Sequence, residues 1–246
     1  MTARAPRPIR YDPRTLQPML LPEADAAGLV IALPTPVDIT ARPMLTRIAE
    51  GSSAEMVASL LAVLLPDART VIDMTWGRGM FWRDNTSVAV TGVDIRPHGA
   101  PSLVADFRRL PFADGSFDVA VFDPPYLTDV ARHGTSKMAR RFGSYATLDD
   151  LQAAVQAGAR EAWRVSRLGV IVKVQDYCHA SRLVRMTRWV EDAIPADLYD
   201  VAYLRSTSKL EDPKWSRIGG QLSVRSNATS WLVWRRDGAV HKRRSA

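Results

Sequence analysis

From residue 70 onward the chain repeats one pattern. A short run of β-branched and aromatic residues ends at or beside an acidic residue, and polar or glycine-containing chain follows. The runs predict strands over Thr70–Met74, Val88–Val93, Leu103–Phe107, Phe117–Phe122 and Gly169–Val174, then Tyr199–Leu204 and Ser230–Trp234. Helical spacing appears between them. Ser52-Ser53-Ala54-Glu55 supplies a cap and a reciprocal acid ahead of Met56, Leu60 and Leu64, and Pro66 stops that helix. Thr147 and Asp150 cap a second helix, whose apolar face is Leu148, Leu151, Val155, Ala159 and Ala162. A third helix is predicted over Ser181–Ile194, with Leu183, Met186, Val190 and Ile194 on one side and Arg182, Arg185 and Arg188 facing solvent. Strands alternating with helices predict an α/β fold around an open sheet.

Residues 1–43 read differently. They hold eight of the 16 prolines, so residues 1–50 are expected to form an extended or irregular arm that covers a cleft or packs on the surface. The folded domain is expected over 51–236, and 237–246 forms a basic tail. Two further stretches lack periodicity: the basic loop to Ala146, with Arg132, His133, Lys137, Arg140 and Arg141, and Ser206–Asn227, with Lys209, Lys214, Trp215, Arg217 and Arg225. Both suit contact with a nucleic-acid backbone.

Composition narrows the function classes. A net charge of +7 and a pI near 9.9 favour a polyanionic partner, and arginine, which dominates the 33 basic residues, suits phosphates and base edges. The single cysteine, Cys178, excludes an internal disulfide, and no His/Cys spacing suits a metal, so no metal is expected. Cys178 is expected to have no nucleophilic role. No apolar run is long enough to span a membrane and Met1–Arg10 lacks the apolar stretch of a signal peptide, so a cytoplasmic location is expected.

The candidate chemistry sits at the strand ends. Asp73-Met74-Thr75-Trp76-Gly77-Arg78-Gly79 places an acid and then Gly-x-Gly directly after the first strand, where backbone can approach a bound molecule closely. Trp82 stands where a dinucleotide fingerprint needs its third glycine, which argues against nicotinamide or flavin. Asp94 ends the second strand, where its carboxylate is placed to accept both hydroxyls of a ribose, and Asp106 ends the third. Asp123-Pro124-Pro125-Tyr126 follows the fourth strand. Its prolines lack N–H groups and form a stiff turn, so the Asp123 carboxylate and the Pro124 carbonyl can accept from an exocyclic amine while Tyr126 stacks on the base.

In these residues the chain resembles the class I S-adenosylmethionine-dependent amino-methyltransferases, which carry an Asp/Asn-Pro-Pro-Tyr/Phe turn after the fourth strand. The final strand, Ser226–Arg235, resembles that of phage and prophage DNA methyltransferases. The resemblance covers about Ala54–Arg236. It implies a Rossmann-like fold: seven mixed strands, the last antiparallel, with helices on both faces. It also implies S-adenosyl-L-methionine as cofactor. Asp73 would orient its methionine amino group, Thr75, Gly77 and Gly79 would line it, Asp94 and Ile95 would meet its ribose end, and Asp106 and Phe107 its adenine. Asp123, Pro124, Pro125 and Tyr126 would hold the acceptor. Adenine or cytosine amino groups of DNA are the expected substrate, with RNA base amines as the alternative. A non-catalytic nucleic-acid-binding module of the same fold is a third reading. Protein glutamine methylation is disfavoured, because that family begins the turn with Asn where this chain has Asp123. Trp76, Arg78 and Trp82 are bulkier than the residues usual in the cofactor loop.

Overall fold

A computed structural model describes residues 45–83, 87–126, 128, 145–179, 182–205 and 228–236. The arm before residue 45, most of the basic loop before Ala146, all of Ser206–Asn227 and the tail lie outside them.

Ten strands are described. In chain order they are β1 (Ile48–Glu50), β2 (Thr70–Asp73), β3 (Ala89–Asp94), β4 (Leu103–Val104), β5 (Phe117–Phe122), β6 (Ser166–Val174), β7 (Tyr177–His179), β8 (Arg182–Val184), β9 (Asp200–Arg205) and β10 (Ala228–Arg235). Eight of them form the main sheet in the order β1-β9-β10-β6-β5-β2-β3-β4, and β7 and β8 pair separately. All neighbours in the main sheet are parallel except β10, which runs antiparallel to both β6 and β9. Seven strands were expected; the eighth is β1, a three-residue edge strand paired with β9 from Ile48↔Tyr203 to Glu50↔Arg205. Nothing in Ile48-Ala49-Glu50 announces it, because its exposed–intermediate–exposed pattern lacks the apolar run of a buried strand. The other seven, with the last antiparallel, form the expected Rossmann-like sheet.

Helix α1 (Ser53–Leu64) covers one face, and α2 (Leu148–Val165) with the short α3 (Met186–Glu191) covers the other. Both long helices begin at reciprocal capping boxes, Ser52 with Glu55 and Thr147 with Asp150, where side chains satisfy otherwise orphaned backbone N–H groups. Strand residues alternate between the layers. Ile72, Ala120, Phe122, Val172 and Trp234 face α2, whereas Val71, Val119, Val121, Ile171 and Trp231 face α1. Central β5 is buried throughout, as a strand covered on both faces must be. Its polar residue, Asp118, is fully buried and accepts from the N–H groups of Arg69 (2.7 Å) and Thr70 (2.9 Å) and pairs with Arg167, tying β5 to the start of β2.

One local expectation needs correction. Ser181–Ile194 is not one helix: β7 and β8 form an antiparallel hairpin, and α3 starts only at Met186. Asp176 explains the delay, because its carboxylate accepts from the backbone N–H (2.9 Å) and hydroxyl (3.0 Å) of Thr187 and anchors the helix start there. Leu183, expected on the apolar face, is 63% exposed. Between β2 and β3 the described chain holds only a 3-10 turn, Met80–Trp82, and no α-helix. Trp76, Phe81 and Trp82 fill that space beside α1, which accounts for their bulk in the loop.

Candidate functional site

The strand order reverses between β2 and β5, and in open α/β sheets a crevice forms there at the carboxyl ends. The Asp73–Gly79 loop leaves β2 on one side of this point, and the Asp123–Tyr126 turn leaves β5 on the other. They are stitched together: the Met74 N–H donates to the Val121 carbonyl (3.0 Å), and the Asp123 N–H donates to Thr75 Oγ1 (2.9 Å). Thr75 is thereby a link between loop and turn.

The loop itself is tightly built. Gly77 and Gly79 are left-handed, at φ 55° and 63°, a conformation that favours glycine. The Trp76 indole lies across Gly79 and Gly92, where an added Cβ would come within 2.5 and 2.2 Å of the ring, and its Nε1 donates to the Gly99 carbonyl at 2.9 Å. Asp94 closes the loop from β3, accepting from the Gly77 N–H (2.9 Å) and the Arg96 N–H (2.9 Å). Beside it Ile95 is 49% exposed, an apolar side chain offered to solvent at the crevice edge.

Asp73 is 2% exposed, with Oδ1 accepting from the Thr75 N–H (3.0 Å) and Oδ2 from Trp82 Nε1 (2.7 Å). Burial pushes its carboxyl up to about 7; the two hydrogen bonds oppose that rise, and the nearby Asp123 and Asp94 charges add to it. Asp106 is partly buried and gripped by Arg108, whose backbone N–H and Nε donate to it at 2.9 and 3.0 Å. Burial raises its carboxyl, but the Arg108 hydrogen bonds and charge outweigh that and hold it below the usual value. The Phe107 ring packs on Phe122, with centroids 5.1 Å apart, under Gly158 of α2. It belongs to the core more than to the crevice wall.

At the turn, Asp123 is held from two sides. The Tyr126 hydroxyl donates to Oδ1 (2.8 Å), and Lys173 Nζ reaches Oδ2 (2.9 Å). The Tyr126 hydroxyl also lies 3.1 Å from the Lys173 carbonyl on β6. Burial, then the Asp123 charge and the hydrogen bond to it, push the phenol well above its ordinary value, so it remains a protonated donor near neutral pH. Lys173 Nζ also sits 5.2 Å from the centroid of Phe81 and 5.9 Å from that of Trp231, within cation–π range. Pro124 is buried and Pro125 half-buried, completing a rigid corner.

Comparison with known proteins adds the following. No family model and no curated protein sequence matches the chain. Among solved structures, a candidate DNA modification methylase of Thermus thermophilus, complexed with S-adenosyl-L-methionine, overlaps 56% of this chain and 54% of its own at 14% identity and a TM-score of 0.38. The chain thus spans about half the length of that protein. The 1,6-didemethyltoxoflavin-N1-methyltransferase of Burkholderia thailandensis, bound to 1,6-didemethyltoxoflavin and S-adenosylhomocysteine, overlaps 75% and 78% at 13% identity and a TM-score of 0.39. A SAM-dependent methyltransferase of Archaeoglobus fulgidus overlaps 76% and 95% at 12% identity and a TM-score of 0.38. These superpositions are partial, and the sheet order and side chains of this chain carry the functional reading.

The crevice therefore gathers Asp73, Thr75, Gly77, Gly79 and Asp94 around one loop, with Asp123–Tyr126 beside it. Asp106 stands at the end of β4, near Asp94, whose carbonyl accepts from the Ala105 N–H (3.0 Å). The expected role for Asp73 meets an obstacle: the carboxyl is 2% exposed, and the Trp82 indole that donates to it belongs to the core packed beside α1. Lys173 and Phe81 were not expected at the site, and Trp82, expected only as a bulky residue of the loop, proves to donate to Asp73. Lys173 was the one lysine within a predicted strand, a signal available in the sequence but without a partner to give it meaning. Cys178 is exposed, in β7 of the hairpin. Among the described residues no His/Cys/Asp/Glu cluster could hold a metal ion, and no helix is long and apolar enough to cross a membrane.

Proposed function

We propose that the protein is an S-adenosyl-L-methionine-dependent methyltransferase that modifies an exocyclic amino group of a nucleobase, with adenine or cytosine in DNA as the leading substrate. The observation that carries this reading is the juxtaposition at the switch point. A stiff Asp-Pro-Pro-Tyr corner is hydrogen-bonded through Thr75 to a Gly77/Gly79 loop that an acid from the next strand, Asp94, closes.

The nucleoside half of the cofactor suits the residues present, since Asp94 retains acceptor capacity beyond its two backbone bonds and Ile95 offers an exposed apolar contact. On the methionine side, Asp73 also keeps acceptor capacity beyond its two bonds, but its burial admits an ammonium only where the packing around Trp82 opens. Bound S-adenosyl-L-methionine supplies an electrophilic sulfonium methyl; the protein's part is positioning. Tyr126 and Lys173 hold the Asp123 carboxylate in one orientation and use two of its roughly four lone-pair sites. The remaining sites and the Pro124 carbonyl accept the amine's N–H groups, which aims the nitrogen lone pair away from them. No strong base is required.

RNA base amines are the alternative substrate, because the same corner accepts any aromatic amine. The burial of Asp73 favours a second reading, a nucleic-acid-binding module that does not transfer methyl groups. Calorimetry with S-adenosyl-L-methionine, and tritium transfer from labelled cofactor to DNA and to RNA, separate the three. Label on DNA that disappears in Asp123→Ala supports the leading reading, and label on RNA alone selects the alternative. Absence of label and of cofactor binding leaves the module.

A further inference from the structure

The three arginines expected along one solvated helix face do not share a helix. Arg182 lies in β8, directly opposite His179 in the hairpin register, Arg185 precedes α3 and Arg188 lies within it. The hairpin fold brings all three, with His179, to the lining of one groove of about 770 Å³, whose apolar side includes Leu148 at the start of α2 and Trp189 of α3. All three arginines are exposed. Arg188 is paired with Asp192 (3.0 Å), an exposed pair of little strength, whereas Arg182 and Arg185 have no ion pair among the described residues. Asp176 binds Thr187, Asp150 belongs to its capping box and Asp192 pairs with Arg188; neither these acids nor Asp149 and Glu191 form an ion pair with Arg182 or Arg185 among the described residues.

The position matters as much as the charge. Strand β6 ends at Val174, one residue beyond the Lys173 that holds Asp123, and β7 begins at Tyr177. The groove therefore opens on the carboxyl edge, on the flank of the amine-holding corner and away from the Gly77/Gly79 loop across β5. A row of forked cations with an indole beside it matches a phosphate backbone carrying bases that can stack.

We propose that this groove is the track for the phosphate backbone of the nucleic-acid strand whose base enters the Asp123 corner. The inference rests on the nucleic-acid reading of the site and adds where the strand runs. Neutralising three phosphate contacts makes affinity fall with salt at a slope of about 0.9 per contact on duplex DNA and about 0.7 on a single strand.

The test uses the full chain and fluorescence anisotropy with labelled 24-nucleotide single strands and duplexes over a salt series. The triple variant R182Q/R185Q/R188Q is expected to bind about 10- to 100-fold more weakly at ~0.1 M salt, with the log–log slope shallower by about 2 to 3. Arg160→Gln, exposed about three turns beyond Leu148 along α2, removes one charge outside the groove and is expected to leave affinity within about two-fold. The single variants Arg182→Gln and Arg185→Gln guard against misfolding, since neither side chain has a described ion pair to lose, and each is expected to remove about one unit of slope. Wild-type affinity and slope in the triple variant overturn the proposal. So does a loss in Arg160→Gln equal to that of Arg182→Gln or Arg185→Gln, which would make the effect one of net charge, or equal competition by polyglutamate of matched charge. If strands bind through the groove but no label is transferred, the methyltransferase reading fails and the track stands.

Discussion

A buried carboxyl whose neighbours are two other acids is the least ordinary residue in the site. Asp73 is pushed up from 3.8 to about 7, chiefly by burial. Its folded form therefore binds a proton more tightly than the unfolded chain does, and the stability this contributes is fully present below about pH 4 and is lost as pH rises through 7. For a group this deeply buried the difference is on the order of 4 kcal/mol. Urea unfolding of wild type and Asp73→Asn should give stability curves that diverge with pH between about 4 and 7 and run parallel above it; parallel curves throughout would mean that Asp73 ionises normally in the fold. Lys173 is the second residue of interest, because Asp123 and Tyr126 alone would leave one carboxylate oxygen free to rotate away. Lys173→Met should lower methyl transfer about 10- to 100-fold, the scale of one hydrogen bond to a charged group. As a positioning residue it should change kcat while leaving cofactor affinity unchanged, and a matching loss of cofactor affinity would instead assign it to the loop.

Among the elements, α2 depends on a residue that helices ordinarily disfavour. Gly158 is buried at the contact with β5, and a Cβ there would lie 2.4 Å from Phe122 Cζ and 2.8 Å from Phe107 Cδ2. Helix propensity alone makes Gly158→Ala stabilising by about 1 kcal/mol. The ring contacts oppose it, because overpacking a close-fitted core costs about 1–3 kcal/mol and these rings are themselves packed on each other. Net destabilisation of about 1–2 kcal/mol is expected by chemical denaturation, and a gain in stability would show that the Phe107–Phe122 pair yields easily. The Asp73–Gly79 loop shows the same logic in reverse, with Gly92 and Gly79 leaving room for the Trp76 ring where the described chain forms a 3-10 turn.

Across the whole molecule, the antiparallel strand β10 joins the two core layers. Trp231 and Trp234, both fully buried, point to opposite faces, Trp231 toward α1 and Trp234 toward α2. The sheet is continuous from β1 to β4, so the two layers share every strand between them. Trp231→Ala and Trp234→Ala should each destabilise by about 3–5 kcal/mol and shift one cooperative transition. Two separated transitions in either variant would show that the layers fold independently.

What could be read from the residues in order was whatever local chemistry decides. The capping boxes at Ser52 and Thr147 act within a single turn, and the acids at the ends of β2, β3 and β5 follow from runs whose burial the sequence itself displays. The Asp-Pro-Pro-Tyr corner is stiff in any context, because proline geometry is covalent. What escaped depends on register and on partners far along the chain. Lys173 meets Asp123 across 50 positions because β6 lies beside β5 with Phe122 opposite Val172, and Trp82 reaches Asp73 only because the chain after the loop turns back in a 3-10 turn. The spacing of Leu183, Met186 and Val190 was compatible with a helix, yet Asp176 anchors Thr187 and gives the first of them to a hairpin. Periodicity records which faces could be buried; the folded sheet decides which are, and so which charged groups share a crevice.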